Sequence, residues 1–167
     1  LTTILRGSGG TDTYNVTFGG LDRPLTIDDA TVAADRDYLN LVTTAAGLVR
    51  VTDQSGDAKI TQGTQEVNYD PGFDNVDRVQ ITAASAPVFF GPASGAPFEV
   101  YNLKHDLVVT AANISWNGRL RAVSFTFEST SGYIIGHDLL AQNNGFVSLR
   151  TPSGNIAVNA GIYSASD

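Results

Sequence analysis

Two segments in the last part of the chain carry one apolar pattern twice. Phe125 and Phe127 correspond to Val147 and Leu149, and Ser131-Gly132-x-Ile134 corresponds to Ser153-Gly154-x-Ile156, both at an offset of 22 residues. Leu139 then matches Ile162 after a slip of one residue. Each unit reads as strand, turn, Ser-Gly, short strand, corner and short strand. A unit this short cannot bury its apolar side alone, so successive units must stack with like positions above one another. The pattern predicts an all-β chain built as a parallel β-helix, a solenoid with coils of about 22 residues. A β-sandwich is the alternative.

Alternation with a period of two runs through most of the chain. It is clearest in TYNVTF (13–18), YLNLVT (38–43), LVRVT (48–52), EVNY (66–69), RVQIT (78–82), FEVYNL (98–103), AVSFTF (122–127) and FVSL (146–149). These runs are rich in β-branched and aromatic residues, and Gly, Asn, Asp and Pro clusters separate them. Of the 17 acidic residues 14 are Asp, which suits turns, and only three are Glu, which suits helices. DDATVAADRDYLNL (28–41) is the best helix candidate, one short turn after an Asp cap, weakened by Thr31 and Val32. LVTTAAG (41–47), VQITAAS (79–85) and LVVTAAN (107–113) form a looser echo at offsets of 38 and 28. That uneven spacing predicts loops of varying length upstream. Three prolines in APVFFGPASGAPFEV (86–100) predict an irregular loop at about 86–97. The chain is read as a single all-β domain over 1–167, or a segment of a longer chain, with its more regular coils at 114–167.

Composition narrows the function classes. Without cysteine there is no disulfide scaffold, thiolate metal site or cysteine nucleophile. A net charge of −7 argues against nucleic acid, whose binding needs concentrated Lys and Arg. No apolar run approaches the roughly 18 residues of a membrane span. The chain lacks Met and opens at Leu1 without a signal peptide, which predicts a mature product or a piece of a longer one. Only 16% of residues are charged, where about 25% is usual. Acidity of this kind suits a soluble extracellular protein.

NNGFVSLRTPSGNIAVNAGIYSAS (143–166) resembles the repeats of filamentous-haemagglutinin-like bacterial surface proteins, where G-x-V-x-L-x-x-x-x-G-x-I-x-V-N-A-x-I recurs coil after coil. Gly145, Val147, Leu149, Gly154, Ile156, Val158, Asn159, Ala160 and Ile162 stand at the matching positions. The resemblance implies a right-handed parallel β-helix, secretion, and a role in adhesion or fibre formation. GTQEVNYDPGFDNVDRVQITAAS (63–85) is similar to segments of large repetitive bacterial extracellular proteins. GSGGTDTYN (7–15) resembles one calcium-binding nonapeptide: Gly7, Gly10, Asp12 and Tyr14 fit, while Ser8 stands where the second Gly belongs. No neighbouring copy follows it.

Few residues suggest chemistry. His105 and His137 each begin a His-Asp-Leu, but neighbours on a strand face opposite ways, so Asp106 and Asp138 are assigned to corners before Leu107 and Leu139. No G-x-S-x-G nucleophile elbow occurs. Asp35 and Asp37 beside Arg36, and Asp70, Asp74 and Asp77 beside Arg78, are the carboxylate groupings a polysaccharide-degrading enzyme would need. No catalytic residue is assigned. Asp70, Asp74 and Asp77 around Pro71-Gly72 supply three hard oxygen ligands, which makes them the calcium candidate, with Asp53 and Asp57 second. Tyr14, Tyr38, Tyr69, Tyr101, Tyr133, Tyr163 and Trp116 would offer sugar-stacking faces if they point outward, and otherwise cap rungs. NVT (15–17) and NIS (113–115) are glycosylation sequons.

The resulting expectation is a non-enzymatic structural or adhesive segment of a bacterial extracellular fibre or cell-surface protein, acting through β-helical stacking or polymerisation. Its partners would be copies or a continuation of the same chain, with a glycan or a host surface beyond them. Calcium is the one cofactor candidate. A calcium-dependent glycan-binding module is the alternative, and a polysaccharide-degrading enzyme stands behind it. No cap is visible at Ile162–Asp167, so the repeat is expected to run on into further coils or another copy.

Overall fold

The computed structural model describes residues 1–7, 9–29, 36–54, 57–70, 76–92 and 100–164. They form fifteen strands and no helix. In chain order these are β1 (Thr3–Leu5), β2 (Thr13–Thr17), β3 (Leu25–Ile27), β4 (Asp37–Val42), β5 (Val49–Gln54), β6 (Asp57–Gln62), β7 (Gln65–Tyr69) and β8 (Val76–Phe90). They continue as β9 (Val100–Asn102), β10 (Asp106–Trp116), β11 (Arg119–Ala122), β12 (Phe125–Ser129), β13 (Ile134–Ala141), β14 (Val147–Arg150) and β15 (Ile156–Ser164). The chain is all-β, as its alternation predicts. Its strands make one mixed sheet that does not close. Among the described residues twelve pairings are parallel, and two, β5–β6 and β6–β7, are antiparallel.

Two local expectations change. The helix candidate at 28–41 ends in strand: Asp37, Leu39 and Leu41 are buried alternately along β4, so the period of two prevails there over the Asp cap. Residues 30–35 lie outside the described residues. The loop expected at about 86–97 is strand as far as Phe90, with Ala86, Val88 and Phe90 buried. Pro87 is tolerated there because the facing strand shifts register at its partner Asn113, so the missing N–H falls at an irregularity.

The long strands bend, and the bends create the core. β8 pairs with β4 along its first half and β5 along its second, while β10 pairs with β12 and then β13. The turning points are small residues, Ala83-Ala84-Ser85-Ala86 and Ala111-Ala112-Asn113. Because most pairings are parallel, like positions stack into columns. One column is Tyr14, Leu39, Val79, Leu107, Phe125 and Val147, and the next is Val16, Leu41, Ile81, Val109, Phe127 and Leu149. A third runs Val49, Val88, Ile114, Ile134 and Ile156. Burying each large aliphatic or aromatic side chain contributes on the order of 1.5–3 kcal/mol, so these columns dominate the favourable side of folding. Phe90 stacks on Phe127 at 5.8 Å, and Trp116 meets Phe127 edge-on at 5.9 Å. Gly136 faces the Trp116 ring, which a Cβ there would overlap.

Spacing along the columns is less even than 22. Phe125 pairs with Val147 and Ile134 with Ile156, both at that offset, but Leu107 pairs with Phe125 at 18 and Leu39 with Val79 at 40. The long step contains the antiparallel β5–β6–β7 meander. Leu107 meets Val79 at the expected 28. The offset of 38 is replaced by 40, since Leu41 pairs with Ile81 and not with Val79.

Candidate functional site

One corner of the sheet gathers most of the chain's unusual polar groups. It lies where β2, β4, β8, β10 and β12 begin. Thr13 pairs with Tyr38, Tyr38 with Arg78, and Arg78 with Asp106, so the residues just before each strand are brought side by side. Asp12, Asp29 and Asp37 converge there, each offering a carboxylate oxygen within 4.8 Å of the others. Asp29 and Asp37 are buried.

Internal hydrogen bonds hold this triad. The Asp12 backbone N–H donates to Asp37 Oδ1 at 2.8 Å, and Tyr14 Oη donates to Asp29 Oδ2 at 2.6 Å. Asp37's own N–H donates to Asp77 Oδ2 at 3.1 Å. Gly7 closes over the Asp29 carboxylate and the Tyr14 hydroxyl so tightly that a Cβ would collide with both. Asp12 Oδ2 is buried without a hydrogen-bond partner among the described residues. No Lys or Arg ion pair reaches the three carboxylates among those residues either. Desolvation pushes the Asp37 carboxyl above the usual range; the Asp12 N–H opposes this, and the neighbouring Asp29, Asp12 and Asp77 charges add to it. Burial, and then the bond to Asp29, raise the Tyr14 phenol as well. Chemically, such a set can share a proton or offer hard oxygens to a divalent cation.

Beside the triad lies a cavity of about 360 Å³ lined by Arg36, Tyr38, Asp77, Arg78, Lys104, His105, Asp106 and Val123. Asp77, which lines the cavity and accepts the Asp37 N–H, joins the two features. The Arg78 guanidinium lies 4.8 Å from the centroid of the Tyr38 ring. Lys104 adopts φ +52°, a left-handed conformation that side chains other than Gly, Asn and Asp rarely take. Asp106 Oδ1 accepts from Ser124 Oγ at 2.5 Å.

His105 is a wall of this cavity and not a base. Its Nδ1 lies 3.0 Å from the Asp106 carbonyl, which can only accept, so Nδ1 carries the proton and Nε2 accepts from Tyr69 Oη at 2.9 Å. Burial pulls its pKa down to about 4, leaving a neutral ring at neutral pH. His137 is exposed, 3.8 Å from Asp138. The carboxylate of Asp138 is itself held by Arg119 at 3.2 Å.

The sequence candidates are distributed as follows. Asp77 is exposed and reaches the triad through Asp37. Asp70 follows β7, partly buried, and Asp74 lies outside the described residues, as does Asp35. Asp53 pairs with Ala58, one residue before the end of β5, and Asp57 opens β6 opposite Gln54. Arg36 and Arg78 both line the cavity. The aromatic residues do not share one outward face: Tyr14, Tyr69 and Trp116 are buried, and Trp116 Nε1 donates to the Asp138 carbonyl. Tyr133 and Tyr163 are exposed. Asp29 was missed, because it sits inside the helix candidate and no local motif links it to Asp12 or Asp37. The pairing of β2 with β4 brings Asp12 to Asp37, and the hydrogen bond from Tyr14 on β2 brings in Asp29.

Comparison with protein families, curated proteins and solved structures finds no match for this chain.

Proposed function

We propose that the chain is a structural or adhesive segment of a bacterial extracellular fibre or cell-surface protein, built as a right-handed parallel β-helix and acting by end-to-end stacking. The registers support the solenoid reading: parallel ladders follow one another with like residue above like, and the β5–β6–β7 meander can be taken as an insertion in that stack. Absence of cysteine, low charge density and the likeness of 143–166 to filamentous-haemagglutinin-like repeats support the extracellular bacterial setting.

The observation that carries the stacking is the edge formed by β14 and β15. Among the described residues each pairs on one side only, β14 with β12 and β15 with β13. Their side chains continue buried columns into solvent. Ile156 extends the column of Ile114 and Ile134 yet is 45% exposed, and Ile162 extends that of Leu120 and Leu139 yet is 52% exposed. Phe146 and Tyr163 are exposed beside them. At the other extreme β1 pairs with β3 alone and exposes Ile4 and Leu5. Unpaired strand edges flanked by apolar side chains template further strands, and a contact between two unlike edges propagates without closing. The occupant we assign to the β14–β15 edge is a second copy of this chain, presenting its β1–β2 end.

Sedimentation and negative-stain electron microscopy test this on the intact chain. Particle length should grow with concentration. Ile156→Lys together with Ile162→Lys should stop that growth while changing stability by only about 0.5 kcal/mol per site, since both positions are exposed. Monomers at every concentration, or growth that ignores the two lysines, would overturn the proposal.

A further inference from the structure

The cavity at the strand-start corner carries an inference independent of stacking. The chain has 10 Lys and Arg against 17 Asp and Glu, yet Arg36, Arg78 and Lys104 all line this one cavity. Among the described residues none of the three makes an ion pair. Arg78 Nε is buried without a hydrogen-bond partner there. Three cations held together in an acidic protein repel one another unless an anion joins them. The two acidic lining residues, Asp77 and Asp106, offset two of these three charges and leave one over; each is fixed in the wall by a hydrogen bond, from the Asp37 N–H to Asp77 Oδ2 and from the Ser124 hydroxyl to Asp106 Oδ1.

Lys104 adds a second, separate observation. At φ +52° a Gly or Asn would sit more easily, so a lysine there keeps its charge in the cavity lining against the backbone's preference. His105 contributes no charge, since both ring nitrogens are occupied within the wall.

We propose that this cavity binds a singly charged, carboxylate-bearing sugar unit, a uronate. Arg36, Arg78 and Lys104 meet the carboxylate, and the free oxygens of Asp77 and Asp106 accept from its hydroxyls. The acidic pair is what excludes a dianion: phosphate would meet the cations and be repelled by Asp77 and Asp106, whereas a monoanion rich in hydroxyl donors satisfies both kinds of group. The cavity's volume falls within the usual range of small-ligand clefts, about 300–1,000 Å³.

Titration of the intact chain with tri-galacturonate, inorganic phosphate and a neutral gluco-oligosaccharide, followed by calorimetry, tests the assignment. Tri-galacturonate should bind saturably and weaken with added salt, and the other two should not bind. Lys104→Asn removes the charge while easing the backbone, so it should weaken tri-galacturonate roughly tenfold with an unchanged or higher Tm. Arg36→Gln should act in the same direction. No saturable uronate binding, tighter phosphate binding, equal binding of the neutral sugar, or full affinity in Lys104→Asn would each overturn it.

Discussion

Burial favours the neutral form of both His105 and Asp37, which means a lost proton for the histidine and a retained one for the carboxylate. Their effects on stability therefore have opposite signs. The His105 pKa falls from 6.5 to about 4, so between those values the unfolded chain binds the extra proton. Its contribution is complete above pH 6.5 and is lost as pH falls toward 4, at up to about 1.4 kcal/mol per pH unit. The raised Asp37 pKa works the other way, adding stability as pH falls through its elevated value. Replacing His105 with Leu and Tyr69 with Phe together removes the histidine and its partner hydroxyl without stranding either. Thermal melts of that double variant between pH 7 and 4 should lack the acid-side loss that the parent shows. If parent and variant fall equally, burial of His105 is not the cause.

At the scale of the element, the repeated turn after each of two strands is built by a hydroxyl. Ser129 Oγ accepts from the Gly132 N–H at 3.1 Å and donates to the Ala112 carbonyl at 2.7 Å. One unit later, Thr151 Oγ1 accepts from the Gly154 N–H at 3.1 Å and donates to the Gly132 carbonyl at 2.8 Å. Each turn thus closes itself and ties down the turn beneath it. Ser129 is fully buried and Thr151 is not, so Ser129→Ala should destabilise by about 1–3 kcal/mol and Thr151→Ala by about 1 kcal/mol. Chemical denaturation would measure both, and a larger loss at Thr151 would contradict the burial argument. This turn also explains what could be read beforehand. Ser131-Gly132 and Ser153-Gly154 align at 22 because both hydroxyl turns and both columns demand it at once. Between Leu41 and Val79 nothing comparable pins the register. A slip of two residues leaves every side chain on its original face, so 38 and 40 look alike in sequence. The site is less legible still: Asp12 and Asp37 meet through the pairing of β2 with β4, Asp29 joins them through the Tyr14 hydroxyl, and the φ of Lys104 leaves no trace in composition.

Across the whole molecule, protection should fall from the middle outward. β8 and β10 are paired on both sides along their lengths, whereas β1, β2, β14 and β15 have one neighbour each. Amide hydrogen exchange should be slowest at Val79, Ile81, Val109 and Ile114, and fastest in β1 and β14. Uniform protection from edge to edge would show instead that the edges are covered in solution. The same succession has a mechanical consequence. Ladders from β2 through β4, β8, β10 and β12 to β14 follow one another, and their hydrogen bonds point along that direction. Tension applied along it would load one ladder at a time, end-on, and not shear many together. Under flow the molecule would act as a tether that lengthens in small steps from its outermost strand, each step releasing a rung's worth of chain before the next begins to carry the load.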